Sequence, residues 1–166
     1  FRKADNGAEV ASALREELDI DIHVVDQRLE ARVGFMGAVA RARVPPSQAV
    51  VWDVGGASMQ ISYLAGDELM TYRGQLASGQ MRDHVVAAIQ HKPPPASPNP
   101  MSDDEAAAAR AFAEEHARRL VPEDVRARIA TPPVTVIGIG AIKYYGDRPA
   151  HELGAQCSRR LLEERI

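Results

Sequence analysis

Two hydrophobic periods alternate along the chain, and the switches between them mark out its elements. Val10, Leu14 and Leu18 recur at helical spacing. Asn6 followed by Glu9 has the spacing of a capping box, so a helix is predicted from about Gly7 to Leu18. Ile20 to Val25 alternates apolar with polar and is β-branched, which predicts a strand. Gln27 to about Arg41 returns to the helical period, with Leu29, Val33, Met36 and Ala40 on one face, until Pro45-Pro46 stops it. Ala49 to Val54 is nearly continuous in apolar residues, as a buried central strand would be. After the turn Gly55-Gly56-Ala57-Ser58, the runs Met59 to Leu64 and Glu68 to Gln75 complete a predicted antiparallel meander, broken at Gly66-Asp67.

Helical spacing resumes from Ser78 to His91, with Met81, Val85 and Ala88 in line. Residues 92–101 hold five prolines and predict a surface connector, with a ligand for proline-binding modules as the alternative. Ser102 and Glu105 form a second capping box before an Ala-rich helix to about Leu120, and Pro122 opens a short helix. Val134 to Ile137 reads as a buried strand running into Gly138-Ile139-Gly140-Ala141, and a last helix is predicted from about Ala150 to Glu164. The order describes an α/β fold with a mixed sheet. In such sheets, strand-to-glycine junctions like those at 53–58 and 137–141 are the usual ligand sites.

Composition narrows this picture. The 166 residues fit one domain or two small ones. No apolar run approaches the roughly 20 residues of a membrane helix, and no signal-peptide pattern opens the chain, so a cytoplasmic protein away from membranes is expected. Cys157 is the only cysteine, which excludes a disulfide scaffold. A net charge of -3 leaves no basic excess for sequence-independent binding of nucleic acid. The five histidines show no metal spacing.

The segment Asp53-Val54-Gly55-Gly56-Ala57-Ser58 carries the strongest chemical signal. An ionised carboxylate at the end of a buried strand is costly unless it faces a cation or donors. Two glycines let the backbone turn sharply and offer amides to an anion, and Ser58 adds a hydroxyl. Mg²⁺ fits between such an acid and a phosphate, because it takes few carboxylates together with waters and phosphate oxygens. An ordinary hairpin turn is the alternative.

The run Val51-Trp52-Asp53-Val54-Gly55-Gly56-Ala57-Ser58-Met59-Gln60-Ile61 resembles the second phosphate loop of the acetate/sugar kinase–Hsp70–actin superfamily. Within it, the chain is similar to the exopolyphosphatase and guanosine pentaphosphate phosphohydrolase family, whose loop reads Asp-Ile-Gly-Gly-Gly-Ser-Thr-Glu. Two further segments carry the likeness. Arg2-Lys3-Ala4-Asp5-Asn6 resembles the family's Arg-x-Ala-x-Asn, and Val24 to Arg32 resembles its Val-Ile-Ser-Gly-x-Glu-Glu-Ala-Arg. The motifs fall in family order from residue 2 to about 145. The resemblance implies a ribonuclease H-like, actin-like lobe whose mixed sheet, with its three-strand meander, is flanked by helices.

It also implies roles. Glu30 becomes the general base that activates water against a terminal phosphoryl group, and a solvated helix acid is the other reading of that residue. Asp53 becomes the water-mediated Mg²⁺ ligand, and Gly55, Gly56, Ala57 and Ser58 the phosphate cradle. Arg2 becomes a phosphate-contacting cation, with a frayed surface arginine as its alternative. Gly138 and Gly140 take the place of the family's late glycine loop, or form a plain strand-to-helix turn. Ser78 is read as a helix N-cap, His116 as a surface residue and Trp52 as core.

The chain also departs from the pattern. Leu29 stands where the first acid of the Glu-Glu pair belongs, Met59 replaces a threonine, and Gln60 replaces a glutamate, as in the apyrases, whose loop carries Asp-Leu-Gly-Gly-Ala-Ser-Thr-Gln. Three functions follow. The first is Mg²⁺-dependent hydrolysis of terminal phosphoanhydride bonds in polyphosphate or guanosine pentaphosphate. The second is an apyrase-like nucleotidase, and the third a degenerate relative that only binds polyphosphate or nucleotide. The family's first lobe, with its own Asp-x-Gly-Ser loop, has no counterpart before Phe1. The 166 residues are therefore expected to be the second lobe of a two-lobed phosphatase, inactive alone. An exposed apolar face is expected where the other lobe docks, with self-association, as a homodimer, in its absence.

Overall fold

The computed structural model describes residue 2, residues 4–140, and the backbone of 144–145 and 148–149. The helix predicted over 150–164, with His151 and Cys157, lies outside the described residues. Helices α1 (Gly7–Leu18) and α2 (Gln27–Ala42) precede strands β1 (Ala49–Val54), β2 (Met59–Ala65) and β3 (Glu68–Gly74). Helix α3 (Ser78–His84) runs on as a π-helical turn, Val85–Ile89. Then come α4 (Asp103–Leu120), α5 (Glu123–Ala130), β4 (Thr135–Gly140) and the two-residue pair β5 (Tyr144–Tyr145) and β6 (Arg148–Pro149).

The main sheet has the order β3-β2-β1-β4. The meander is antiparallel as expected, and β4 pairs with β1 in parallel, which makes the sheet mixed. Alternation in the strands feeds two cores. Val50, Met59, Ile61 and Tyr63 pack on one face with Ala77 and Val125, while Ala49 and Val51 pack on the other beneath Phe35 and Ala38 of α2.

Ile20 to Val25 forms no strand, because a strand requires a hydrogen-bonded neighbour and none of the described residues supplies one. Asn6 makes no side-chain cap. Its backbone sits at φ -97 and ψ 14 rather than in the extended region that aims a cap at the third amide. Helix α2 is capped instead by Asp26, whose carboxylate accepts from the Leu29 amide at 2.7 Å. The stripe Leu29, Val33 and Met36 faces outward rather than into the core. Small residues, Ala31, Gly34 and Ala38, together with Phe35, bring α2 close to the sheet, and the large apolar side chains are left exposed. Trp52 is 43% exposed rather than core, since its parallel neighbour Gly138 has no side chain to cover it. His116 is half-buried beside Phe112, which stacks at 3.5 Å on His84.

Tyr63 ties the sheet to α5 by donating its hydroxyl to Asp124 at 2.7 Å. Burial, with that bond, pushes the phenol up to about 12, and the same bond holds the Asp124 carboxyl below its ordinary value. A depressed carboxylate adds stability above its unfolded value of 3.8 and loses it as pH falls through the lower native one. Tyr63→Phe is therefore expected to lower Tm by about 2–4 °C at pH 7. In thermal melts at descending pH, the gap to wild type should narrow once Asp124 protonates.

Candidate active site at the β1–β2 loop

The site forms where the ends of β1 and β4 meet the first turn of α2. Glu30 stands in that turn, where the helix dipole favours a carboxylate. Asp53 is near the end of β1, and its cross-strand partner on β2 is Gln60. Gly34, one turn beyond Glu30, passes so close to the sheet that a Cβ there would lie 3.7 Å from Asp53 Oδ2. Gly140, at φ +86, closes the other side, and its hydrogen points where a Cβ would sit 2.6 Å from Asp53 Oδ1.

Glu30 Oε2 accepts from two donors, Arg2 Nη2 at 2.7 Å and Gln60 Nε2 at 3.2 Å. Arg2 also donates through Nη1 to the Val25 carbonyl at 3.1 Å. Asp53 has no side-chain hydrogen bond among the described residues, and its pKa is raised, first by burial and then by the charge of Glu30. Burial and a like charge nearby both disfavour the ionised form.

The loop 55–58 is a braced turn. The Gly55 amide donates to the Ser58 carbonyl at 2.9 Å, and the carbonyls of Gly55 and Gly56 accept from the amides of Ser78 and Gly79 at 3.1 and 2.9 Å. Ser78 is the first residue of α3 rather than its cap, and its hydroxyl also donates to the Gly55 carbonyl at 2.9 Å. The carbonyls are thereby turned to α3, while the amides of Gly56, Ala57 and Ser58 make no backbone bond among the described residues. A Cβ at Gly79 would collide with the Gly56 carbonyl oxygen, so glycine is needed for this approach. Ala57 and Ser58 face Arg2, Val25 and His23 across an open cleft of about 400 Å³.

Thus Arg2, Glu30, Asp53 and the loop come together. Gly138 and Gly140 do not form a loop: β4 extends through both, so Gly138 lies beside Trp52 and only Gly140 reaches Asp53. Two contributors escaped the sequence reading, Gln60 as a donor to Glu30 and Gly34 as the close approach of α2. The alternation of β2 carries the first signal, since it puts Gln60 on the face opposite Met59 and Ile61. Among the described residues no cluster of three or more metal-ligating side chains exists. A half-buried carboxylate beside amides with no backbone bond among the described residues suits an ion that takes most of its ligands from water and phosphate.

Sheet order and flanking helices give a mixed α/β architecture of the actin-like kind. A model of the Ppx/GppA phosphatase family matches residues 1–73, which bears out the resemblance read from the motifs. No curated protein matches the chain. A crystal structure of the Aquifex aeolicus Ppx/GppA family member superposes with a TM-score of 0.54 at 19% identity, covering 86% of this chain and 40% of that one. An exopolyphosphatase from Cytophaga hutchinsonii gives 0.53 at 19% identity over 82% and 40%, and an exopolyphosphatase-like protein 0.53 at 20% over the same shares. At such identities the likeness is one of fold, and it confirms the α/β actin-like architecture. The chain spans about two-fifths of these relatives' length.

Proposed function

We propose that the chain is one lobe of a phosphoanhydride hydrolase, which in its full-length parent removes terminal phosphate from polyphosphate or guanosine pentaphosphate. The observation that carries this reading is the placement of Glu30 and Asp53 beside loop 55–58, where the amides of Gly56, Ala57 and Ser58 make no backbone bond among the described residues and the carbonyls of Gly55 and Gly56 are tied back to α3. In this reading the loop amides and the Ser58 hydroxyl hold a phosphate, Arg2 grips it from across the cleft, and Glu30 takes the proton of the attacking water. Asp53, through water, would hold Mg²⁺, which when bound neutralises charge on the phosphoryl oxygens. Arg73, the cross-strand partner of Gln60, is exposed and has no ion pair among the described residues, so it offers a cation to phosphates further along a chain.

Two departures from the family pattern weigh little in this geometry. Leu29 is exposed on the outer side of α2, and Met59 is buried in the core against Ile61 and Tyr63. The apyrase-like reading draws support from Ala57 and from Gln60, both at the site, and the binding-only reading remains its non-catalytic counterpart. Phosphate release by the full-length parent from polyphosphate, guanosine pentaphosphate and ATP separates the three. Release from the first two supports the proposal, preference for ATP favours the nucleotidase, and binding without release favours the third.

The raised Asp53 pKa gives a second test. Below its ordinary value of 3.8 the carboxyl is neutral folded or unfolded and costs nothing; as pH rises through the raised native value, its charge disfavours the folded state. A bound cation offsets that cost. Mg²⁺ is thus expected to raise Tm at pH 7, by an increment that shrinks toward pH 4 and is lost in Asp53→Asn, as calorimetry can measure.

A further inference from the structure

We infer that Gln60 is the positioning residue of the Glu30 carboxylate: its amide holds Oε2 and leaves Oε1 as the oxygen that takes the proton from water. This rests on the hydrolase reading above and adds to it a division of labour between the two oxygens.

Both observed donors converge on Oε2, Arg2 at 2.7 Å and Gln60 at 3.2 Å, and Oε1 has no partner among the described residues. A carboxylate fixed through one oxygen keeps its other lone pairs basic and fixed in direction. The two holders differ in permanence. Arg2 has a side chain 35% exposed and lines the same cleft as Ala57 and Ser58, so a phosphate on the loop competes for its guanidinium. Gln60 is 2% exposed, near the start of β2 where it is paired with Asp53 on one side and Arg73 on the other, and cannot follow a ligand. When Arg2 turns to the phosphate, Gln60 is the donor that stays.

The residue type matters as well as the position. An ionised glutamate at 60 cannot donate, and it would set a third negative charge beside Glu30 and Asp53. The amide donates without adding charge. In the reaction, one O–H bond of water breaks and its proton passes to Oε1. The water oxygen forms a bond to the terminal phosphorus as the bridging P–O bond breaks, and its electron pair leaves with the shortened phosphate chain. Glu30 then returns the proton to solvent.

Two measurements test this. In the full-length parent, Gln60→Met keeps the buried volume but removes the donor, and it should lower kcat for phosphate release by about 10–100-fold, with KM within twofold. Unchanged kcat in Gln60→Met, or a loss carried entirely by KM, would overturn the inference. The crystal structure of Gln60→Met with inorganic phosphate seated on the loop and drawing Arg2 away reads positioning without activity. Glu30 should leave its observed rotamer, and a carboxylate still in place would also refute the role. A wild-type parent that releases no phosphate from any of the three substrates sinks the hydrolase reading instead, and the variant structure then decides the positioning by itself.

Discussion

Glu30→Gln in the full-length parent is expected to lower phosphate release by about 10²- to 10⁴-fold, the range over which a positioned general base acts. Binding of the phosphate chain, measured by calorimetry, should stay within a few-fold of wild type. The amide keeps the size of the carboxylate and its oxygen can still accept from Arg2 or Gln60, so the fold should be undisturbed. What disappears, in the proposed reading, is the group that takes a proton from water; His23, also at the cleft, turns to Asp21 at 3.2 Å. Release that survives the substitution would sink the assignment of Glu30 as base.

Gly140→Ala should produce the largest loss of stability. The residue sits at φ +86, which side chains rarely adopt. A Cβ would lie 2.5 Å from the Val54 carbonyl oxygen and 2.6 Å from Asp53 Oδ1. The Val54 carbonyl does not yield easily, because it is backbone of a strand in register with Gly140, whereas the Asp53 carboxylate can turn aside. The strain and the collision together predict a loss of roughly 2–4 kcal/mol, read from denaturant melts. Binding of Mg²⁺ should weaken too, because relief of the clash displaces the Asp53 carboxylate. Gly37 makes the matched control: it lies in α2 with nothing within 4 Å of a Cβ, so Gly37→Ala should gain up to about 1 kcal/mol. Equal effects at the two positions would show that the close packing around Asp53 is not what Gly140 serves.

The two substitutions probe different levels of one design. Glu30 lies in the motif Val24 to Arg32, which the sequence displays, whereas Gly140 belongs to packing that no local pattern announces. The glycines of the loop divide in the same way. Gly55 and Gly56 are read at once as a turn, but the need for glycine at Gly79 appears only when the Gly56 carbonyl is seen against the start of α3.

Local signals fixed the α/β character, the meander, the caps at Ser102 and Glu105, and the glycine turn after Asp53. Each depends on neighbours a few residues apart, and short-range sterics and alternation act there without help. They misplaced what depends on a second surface. Ile20 to Val25 has strand composition but no partner among the described residues. The apolar stripe of α2 marks one face of a helix, but hydrophobicity alone does not say which face packs. The sheet instead takes the small face, which allows α2 to approach until Gly34 nears Asp53. Trp52 is exposed because its neighbour across the sheet is a glycine, and β4 runs on through Gly138 and Gly140 because β1 offers it a continuous parallel edge.

The sequence by itself singled out the candidates: Asp53 and the turn 55–58 by residue type and spacing, and Glu30 through the resemblance of its motif. Only the tertiary structure decided how they are held. The register of β1 against β2 puts Gln60 beside Asp53, and the approach of α2 puts Glu30 within reach of Gln60. Register and helix approach follow from packing summed over the whole sheet, so no single stretch of chain encodes them.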